Sequence, residues 1–212
     1  MAQRTRTNPL ALAVLACLHE QPMHPYEVAQ TLRSRAKQQS VRLNYGSLYS
    51  VVDALEQRGL IQALVTVRDG RRPERTVYEI TDAGARELVD WLSELVATPT
   101  KEYLQFEAAL SFLPVVPPED AVMLLTQRAH ALELKLAQDR GAKRLVDDMG
   151  LPRLFELEAE YAMCLIEAEL AWVRLLIKDI ETGALDGIDM WRRFAAGERD
   201  LFSLDDKDRR GD

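Results

Sequence analysis

The chain has 212 residues, 47% of them hydrophobic and 29% charged, with a formal net charge of −7. That length suits one large or two small domains, each able to bury a core, and the mixture is ordinary for a globular protein. No apolar run approaches the roughly 18 residues a membrane span requires, so no transmembrane helix is expected.

The N-terminal MAQRTRTNPLALAVLACLHEQ places two arginines before an apolar stretch, as a signal peptide does. His19 and Glu20 follow without a small-residue cleavage pattern and the apolar residues keep helical spacing, so the expected location is cytoplasmic. Cys17 and Cys164 give no CxxC pair and no disulfide framework, in keeping with a reducing compartment. Charge is uneven. Residues 1–80 carry eleven Lys/Arg against seven Asp/Glu, and residues 81–212 carry sixteen against twenty-seven. A basic first part and an acidic remainder predict two tasks, one of them near phosphates.

A first helix is predicted over Pro9–Glu20, with Asn8 as N-cap, Pro9 at the first position, and Leu10, Val14, Leu15 and Leu18 on its buried face. The segment Gln21-Pro22-Met23-His24-Pro25 breaks it. A second helix runs from Pro25 to Lys37, burying Tyr26, Val28, Ala29 and Leu32. A third begins near Gly46, where Leu48, Val51, Val52 and Leu55 form an inward stripe. Its opposite face presents Tyr49, Ser50, Asp53 and Gln57, and Gly59 supplies a left-handed C-terminal cap. Two β-runs, Gln62–Val67 and Thr76–Thr81, flank an eight-residue turn, RDGRRPER, and so predict a loose hairpin. Thr81 or Asp82 caps a fourth helix with Leu88, Trp91, Leu92 and Leu95 on its apolar side.

Thr98-Pro99-Thr100 reads as a linker, giving residues 1–98 as one domain, 99–202 as a second, and 203–212 as a disordered tail. The second domain is helical throughout. A segment over Lys101–Leu113 is followed by long helices from Glu119 to Val146 and from Arg153 to Thr182. On the last, Tyr161, Leu165, Ala168, Trp172, Leu176 and Ile180 form an apolar line. These helices carry more apolar face than they can bury among themselves, which predicts pairing with a second copy through Leu165, Ala168, Trp172 and Leu176. Phe155, Tyr161 and Trp172 are either core packing or the lining of a pocket for a flat organic molecule.

A helix fits the major groove, about 12 Å wide. The third helix suits that place because its outward face is short and hydrogen-bonding. Asn44, Tyr45 and Ser47 lie at its N-terminal end, where backbone amides favour phosphate, and Ser50 and Gln57 can reach base edges. Asp53 repels phosphate unless it meets a cytosine amino group or an arginine. Arg68, Arg71, Arg72 and Arg75 sit together on the hairpin loop, suited to phosphates or a narrow minor groove. Arg4 and Arg6 form an arm or a plain tail, and Arg33, Arg35, Lys37 and Arg42 lie around the second helix and the following turn, within reach of the DNA backbone. An enzyme is not expected. His19, His24 and His130 lack metal-ligand spacing, and no G-x-S-x-G, P-loop or Rossmann pattern occurs, so no cofactor or metal is predicted.

The motifs PMHPYEVAQTL at 22–32, GSLYSVVDALEQRGLI at 46–61 and GRRPERTVYEITDAG at 70–84 resemble those of PadR-family transcriptional regulators. FEAALSFLPVVPPEDA at 106–121, with the long helix carrying Trp172, resembles the larger branch of that family. The resemblance implies a mainly α fold: an N-terminal winged helix–turn–helix with a two-stranded β wing and a C-terminal helical dimerisation domain. It also implies repression of nearby promoters relieved by a small molecule. Tyr49 would then sit on the DNA-reading helix and Tyr78 on the returning wing strand, while Ser50 stands where the family often has proline. A two-fold dimer would meet an inverted repeat in double-stranded DNA with half-sites about 34 Å, or a multiple of that, apart. The competing reading is a winged-helix module used for protein–protein contact, without direct DNA readout.

Overall fold

The computed structural model describes residues 8–67 and 75–198. The chain divides into two compact units, Met1–Lys101 and Glu102–Asp212.

In the first unit, helix α1 (Pro9–Glu20) starts with the Asn8 carboxamide accepting from the Leu10 amide at 3.0 Å. Helix α2 (Pro25–Ser34) is capped by an imidazole. His24 Nδ1 accepts from the Tyr26 amide at 3.0 Å, and the Glu27 carboxylate accepts from the His24 amide at 2.8 Å, a reciprocal capping box. It ends short of the predicted Lys37, because Ala36 adopts a left-handed φ of 55° and Lys37–Gln39 forms a single 3-10 turn. Tyr26, expected in the core, is exposed. Val28, Ala29 and Leu32 fill the inward stripe, while the Tyr26 ring stacks on Tyr45 with centroids 6.2 Å apart.

Helix α3 (Tyr45–Gln57) buries Leu48, Val51, Val52 and Leu55. Gly59, at φ 68°, closes it, and the Leu60 amide donates back to the Leu55 carbonyl at 3.0 Å. Strands β1 (Ile61–Val67) and β2 (Arg75–Ile80) pair antiparallel from Ile61 opposite Ile80, with a register shift between Ala63 and Val65 that makes Leu64 the extra residue of a bulge. Thr81 then caps α4 (Asp82–Ala97). Its hydroxyl accepts from the Gly84 amide at 3.1 Å and donates to the Gly59 carbonyl at 2.7 Å, so one side chain joins the end of α3 to the start of α4. Leu88 and Trp91 enter the core, but Leu92 and Leu95, expected beside them, are exposed. Leu92 lies about 100° round the helix from Trp91, and Leu95 runs one turn beyond the core.

The second unit begins with α5 (Gln105–Ser111), shorter than the predicted Lys101–Leu113 segment; Pro114 places Leu113–Val115 in a 3-10 turn. Helices α6 (Pro118–Asp148) and α7 (Leu157–Glu181) follow, and Arg153–Phe155, expected to open α7, form a separate 3-10 turn. Arg140 pairs with Glu167 and Lys143 with Glu156, both at 2.7 Å, so the two helices run antiparallel. Between them Ala121, Leu125, Ala129, Leu170, Val173 and Ile180 are buried. A further helix, α8 (Ile188–Ala195), is one that the sequence pattern did not predict. It buries Ile188 and Trp191, whose indole donates to the Val116 carbonyl at 2.7 Å. Along α7 the line Tyr161, Leu165, Ala168 and Trp172 is exposed; Leu176 is half-buried and Ile180 buried. No described helix is long and apolar enough to cross a membrane.

Candidate nucleic-acid interface

The first turn of α3 is built from the residues the sequence pointed to. Asn44 spends its side chain on the helix, its carboxamide oxygen accepting from the Ser47 amide at 2.7 Å. Tyr45 is the first helical residue, and its hydroxyl accepts from Arg33 Nη1 at 2.5 Å while the guanidinium lies over its ring, 4.6 Å from the centroid. Ser50 donates to the Gly46 carbonyl at 3.1 Å, which leaves its oxygen able to accept. Asn44, Tyr45, Ser47, Tyr49, Ser50 and Gln57 are all exposed. A groove of about 510 Å³ runs between the start of α1 and α3, lined by Asn8, Gly46, Ser47 and Ser50 among others. The start of α1 therefore lies beside this face.

The wing is anchored from two sides. β2 bonds β1, and Tyr78 also exchanges backbone hydrogen bonds with Met23, in the turn between α1 and α2. The Tyr78 phenol is held above its ordinary pKa, first by burial, then by the charges of Glu56 and Asp53 on α3 and a hydrogen bond to Glu56. Asp53 thus belongs to the edge of α3 that faces the returning strand. Arg75 opens β2. Arg68, Arg71 and Arg72, with Arg4, Arg6 and the predicted tail at 203–212, lie outside the described residues.

The flanking cations divide. Arg35 is committed to Glu20 through two bonds of 2.5 and 2.7 Å, and the guanidinium's bond and charge hold the Glu20 carboxyl below its usual range. Arg33 has no carboxylate partner among the described residues, and Arg42 is exposed. Neither the Met23 pairing nor the Arg33 stack is announced by the sequence. A strand residue inside a proline-flanked turn and a guanidinium over a distant ring join separate segments, with no local periodicity to mark them.

Phe155, Tyr161 and Trp172, expected either as core packing or as the lining of a pocket, do not converge within one chain. Phe155 lies on the 3-10 turn before α7, and Tyr161 and Trp172 are separated by about 16 Å along the helix. All three are exposed, and Trp172 meets Phe106 edge-on at 6.2 Å. Arg128 lies over the Phe106 ring, 3.6 Å from its centroid, and pairs with Glu169. Among the described residues no group of His, Cys, Asp and Glu is placed to hold a metal ion.

Residues 14–90 match the transcriptional regulator PadR-like family. Among solved structures, PadR of Bacillus subtilis in complex with operator DNA aligns with a TM-score of 0.66 at 21% identity, covering 82% of this chain and 99% of that one. The same regulator in complex with p-coumaric acid aligns with a TM-score of 0.66 at 19% identity, covering 81% and 98%. The Vibrio cholerae virulence activator AphA aligns with a TM-score of 0.63 at 17% identity, covering 82% and 98%. These likenesses establish the fold. No curated protein matches the chain in sequence. Residues 14–90 are a winged helix–turn–helix domain of the PadR-like family of transcriptional regulators, followed by a helical second unit.

Proposed function

We propose that this chain is a dimeric, sequence-specific DNA-binding regulator acting in the cytoplasm. It represses a nearby promoter, its own included, and lets go of DNA when a small aromatic molecule binds. The observation that carries this reading is the outer face of α3. Four apolar side chains point inward, and Ser47, Tyr49, Ser50 and Gln57 are left outward on a helix that enters a β-hairpin directly. A helix of that kind can lie in the major groove while the hairpin arginines meet the backbone.

The second copy is supported by α7. Tyr161, Leu165 and Trp172 are large, exposed and on one helix, an apolar strip that a two-fold partner would cover. Covering it with the same strip of a second chain would also gather aromatic side chains from both copies, giving a flat effector the convergent lining that one chain lacks.

The test is selection of random duplex DNA on the purified full-length protein, with its own upstream region included, followed by a mobility shift over a salt series. An enriched inverted repeat, bound less tightly as salt rises, is the expected result. No shift at low salt would leave the protein–protein module as the better reading. Release of that DNA by phenolic compounds, with quenching of tryptophan fluorescence, tests the effector. Quenching without release would remove it.

A further inference from the structure

The geometry points to Arg33 as a phosphate-binding residue of the DNA interface, held in place by Tyr45 and Tyr26. The inference rests on the DNA-binding reading above and assigns a residue on α2, outside α3 and the wing. Arg33 sits in the last turn of α2 and reaches the first residue of α3. Its guanidinium lies over the Tyr45 ring at 4.6 Å and donates one N–H to the Tyr45 hydroxyl. Tyr26 stacks on Tyr45 with an interplanar angle of 8°, and both tyrosines are exposed, so the stack stands on the surface beside the start of α3.

Three properties of this arrangement go beyond joining two helices. A guanidinium has five N–H donors in a fixed plane, and the tyrosine oxygen uses one Nη1 position. Stacking fixes the plane while keeping its edge open, the orientation in which Arg grips a phosphate bidentately. Among the described residues no carboxylate neutralises Arg33, whereas Arg35, two residues on, is tied to Glu20 by two hydrogen bonds. An oriented, uncompensated guanidinium next to the helix that reads DNA is placed to set the depth and angle at which that helix enters the groove. Tyr45 is then a positioning residue for Arg33 and has no base to read.

The test is fluorescence anisotropy of a labelled mixed-sequence duplex with the full-length protein, across a potassium chloride series. Arg33→Gln should weaken binding about tenfold and lower the log–log salt slope by about one, because one phosphate loses its cation. Tyr45→Phe, which keeps the ring and drops the hydroxyl, should weaken binding by about threefold alone and not at all in the Arg33→Gln background. Arg33→Lys, which keeps the charge but not the planar fork, should retain the slope with reduced affinity. Thermal midpoints identify any variant that acts by unfolding, and Arg33→Lys carries the test if Arg33→Gln does not fold. Wild-type affinity and slope in both Arg33 variants would overturn the assignment while leaving DNA binding intact. Additive effects of Tyr45→Phe and Arg33→Gln would also overturn it, since the tyrosine would be acting by itself. Failure of the wild-type protein to bind any duplex at low salt would remove this inference together with the reading beneath it.

Discussion

Met23 and Tyr78 exchange two backbone hydrogen bonds, each 3.0 Å long, so the turn between α1 and α2 acts as a third strand position beside the wing. The hairpin is therefore fastened to the helical core near the end of β2. Met23 is itself buried, which sets the bridge against the core. Met23→Ala is expected to cost about 2 to 3 kcal/mol through the cavity it leaves. The Tyr78 amide of that variant should also exchange with deuterium faster than it does in the wild type, while amides in α1 change less. Denaturant titration gives the first quantity and hydrogen exchange the second; an unchanged Tyr78 amide would mean that the bridge does not hold the wing.

Gly84 allows α4 to begin directly against the end of α3. A Cβ there would stand 2.0 Å from the Leu60 carbonyl oxygen and 2.8 Å from Ile80 Cγ1, and the oxygen belongs to backbone that also accepts from the Thr81 amide. Nothing flexible can give way. Gly84→Ala should therefore destabilise the first unit by about 3 kcal/mol, although the alanine would suit a helix better by propensity. A thermal midpoint equal to wild type would show that α4 can slide.

The parts legible in the sequence were those whose signals are local. The Leu48, Val51, Val52 and Leu55 stripe, the Asn8 cap and the Gly59 stop each depend on a few adjacent residues, and all three stand where their spacing put them. Tyr26 and Leu92 defeated the same reasoning, because an apolar residue at the margin of a stripe is buried only if another segment covers it. The imidazole cap at His24 replaces the usual hydroxyl or carboxamide, so no capping signal marked it. Helix α8 is only eight residues long and is held by the distant Val116 carbonyl, a partner that periodicity cannot name. Of the candidate site, the outer residues of α3 could be read from the stripe opposite them, whereas the Arg33 stack needed the fold.

The Tyr78 phenol gives the first unit an alkaline dependence. Burial, Glu56 and Asp53 raise its pKa above the ordinary value of 10, so the folded chain holds the proton more tightly than the unfolded chain. The contribution is complete below pH 10. It is lost as pH rises through the folded value, because the unfolded state ionises first. Stability should consequently fall above pH 10, and Tyr78→Phe should make that fall shallower. Denaturation midpoints of the two proteins from pH 8 upward check this; parallel curves would place the alkaline loss elsewhere.

Leu165 separates the proposed dimer from the fold of a single chain. Its side chain is 52% exposed, between Tyr161 and Trp172 on the outer line of α7, so a charge there costs the isolated chain little. Across a two-fold interface the same charge would face its copy or an apolar neighbour and be stripped of water. Leu165→Glu is expected to keep the helical circular dichroism spectrum of the wild type while shifting the mass in sedimentation from dimer to monomer. Operator affinity should fall with it, by about tenfold or more, since each half-site would then be bound alone. A Leu165→Glu protein that remains dimeric would move the interface off this face of α7.

The sequence between β1 and β2 carries Arg68, Arg71 and Arg72, with Arg75 at the start of β2, in a chain whose net charge is −7. Its chemistry is distinguishable from that of α3 by what it fails to discriminate. A guanidinium on phosphate sees the same partner at every step of the duplex, so Arg71→Ala with Arg72→Ala should weaken operator and mixed-sequence DNA by the same factor. The salt slope should drop by about two, one for each phosphate left without its arginine. Ser50→Ala and Gln57→Ala, on the outer face of α3, should instead change the ranking among operator variants with little effect on the slope. Binding measured over a salt series with operator and mixed-sequence probes separates the two patterns. A wing variant that loses only operator binding would mean that those arginines read bases or a narrow minor groove, and the division of labour between helix and hairpin would have to be reversed.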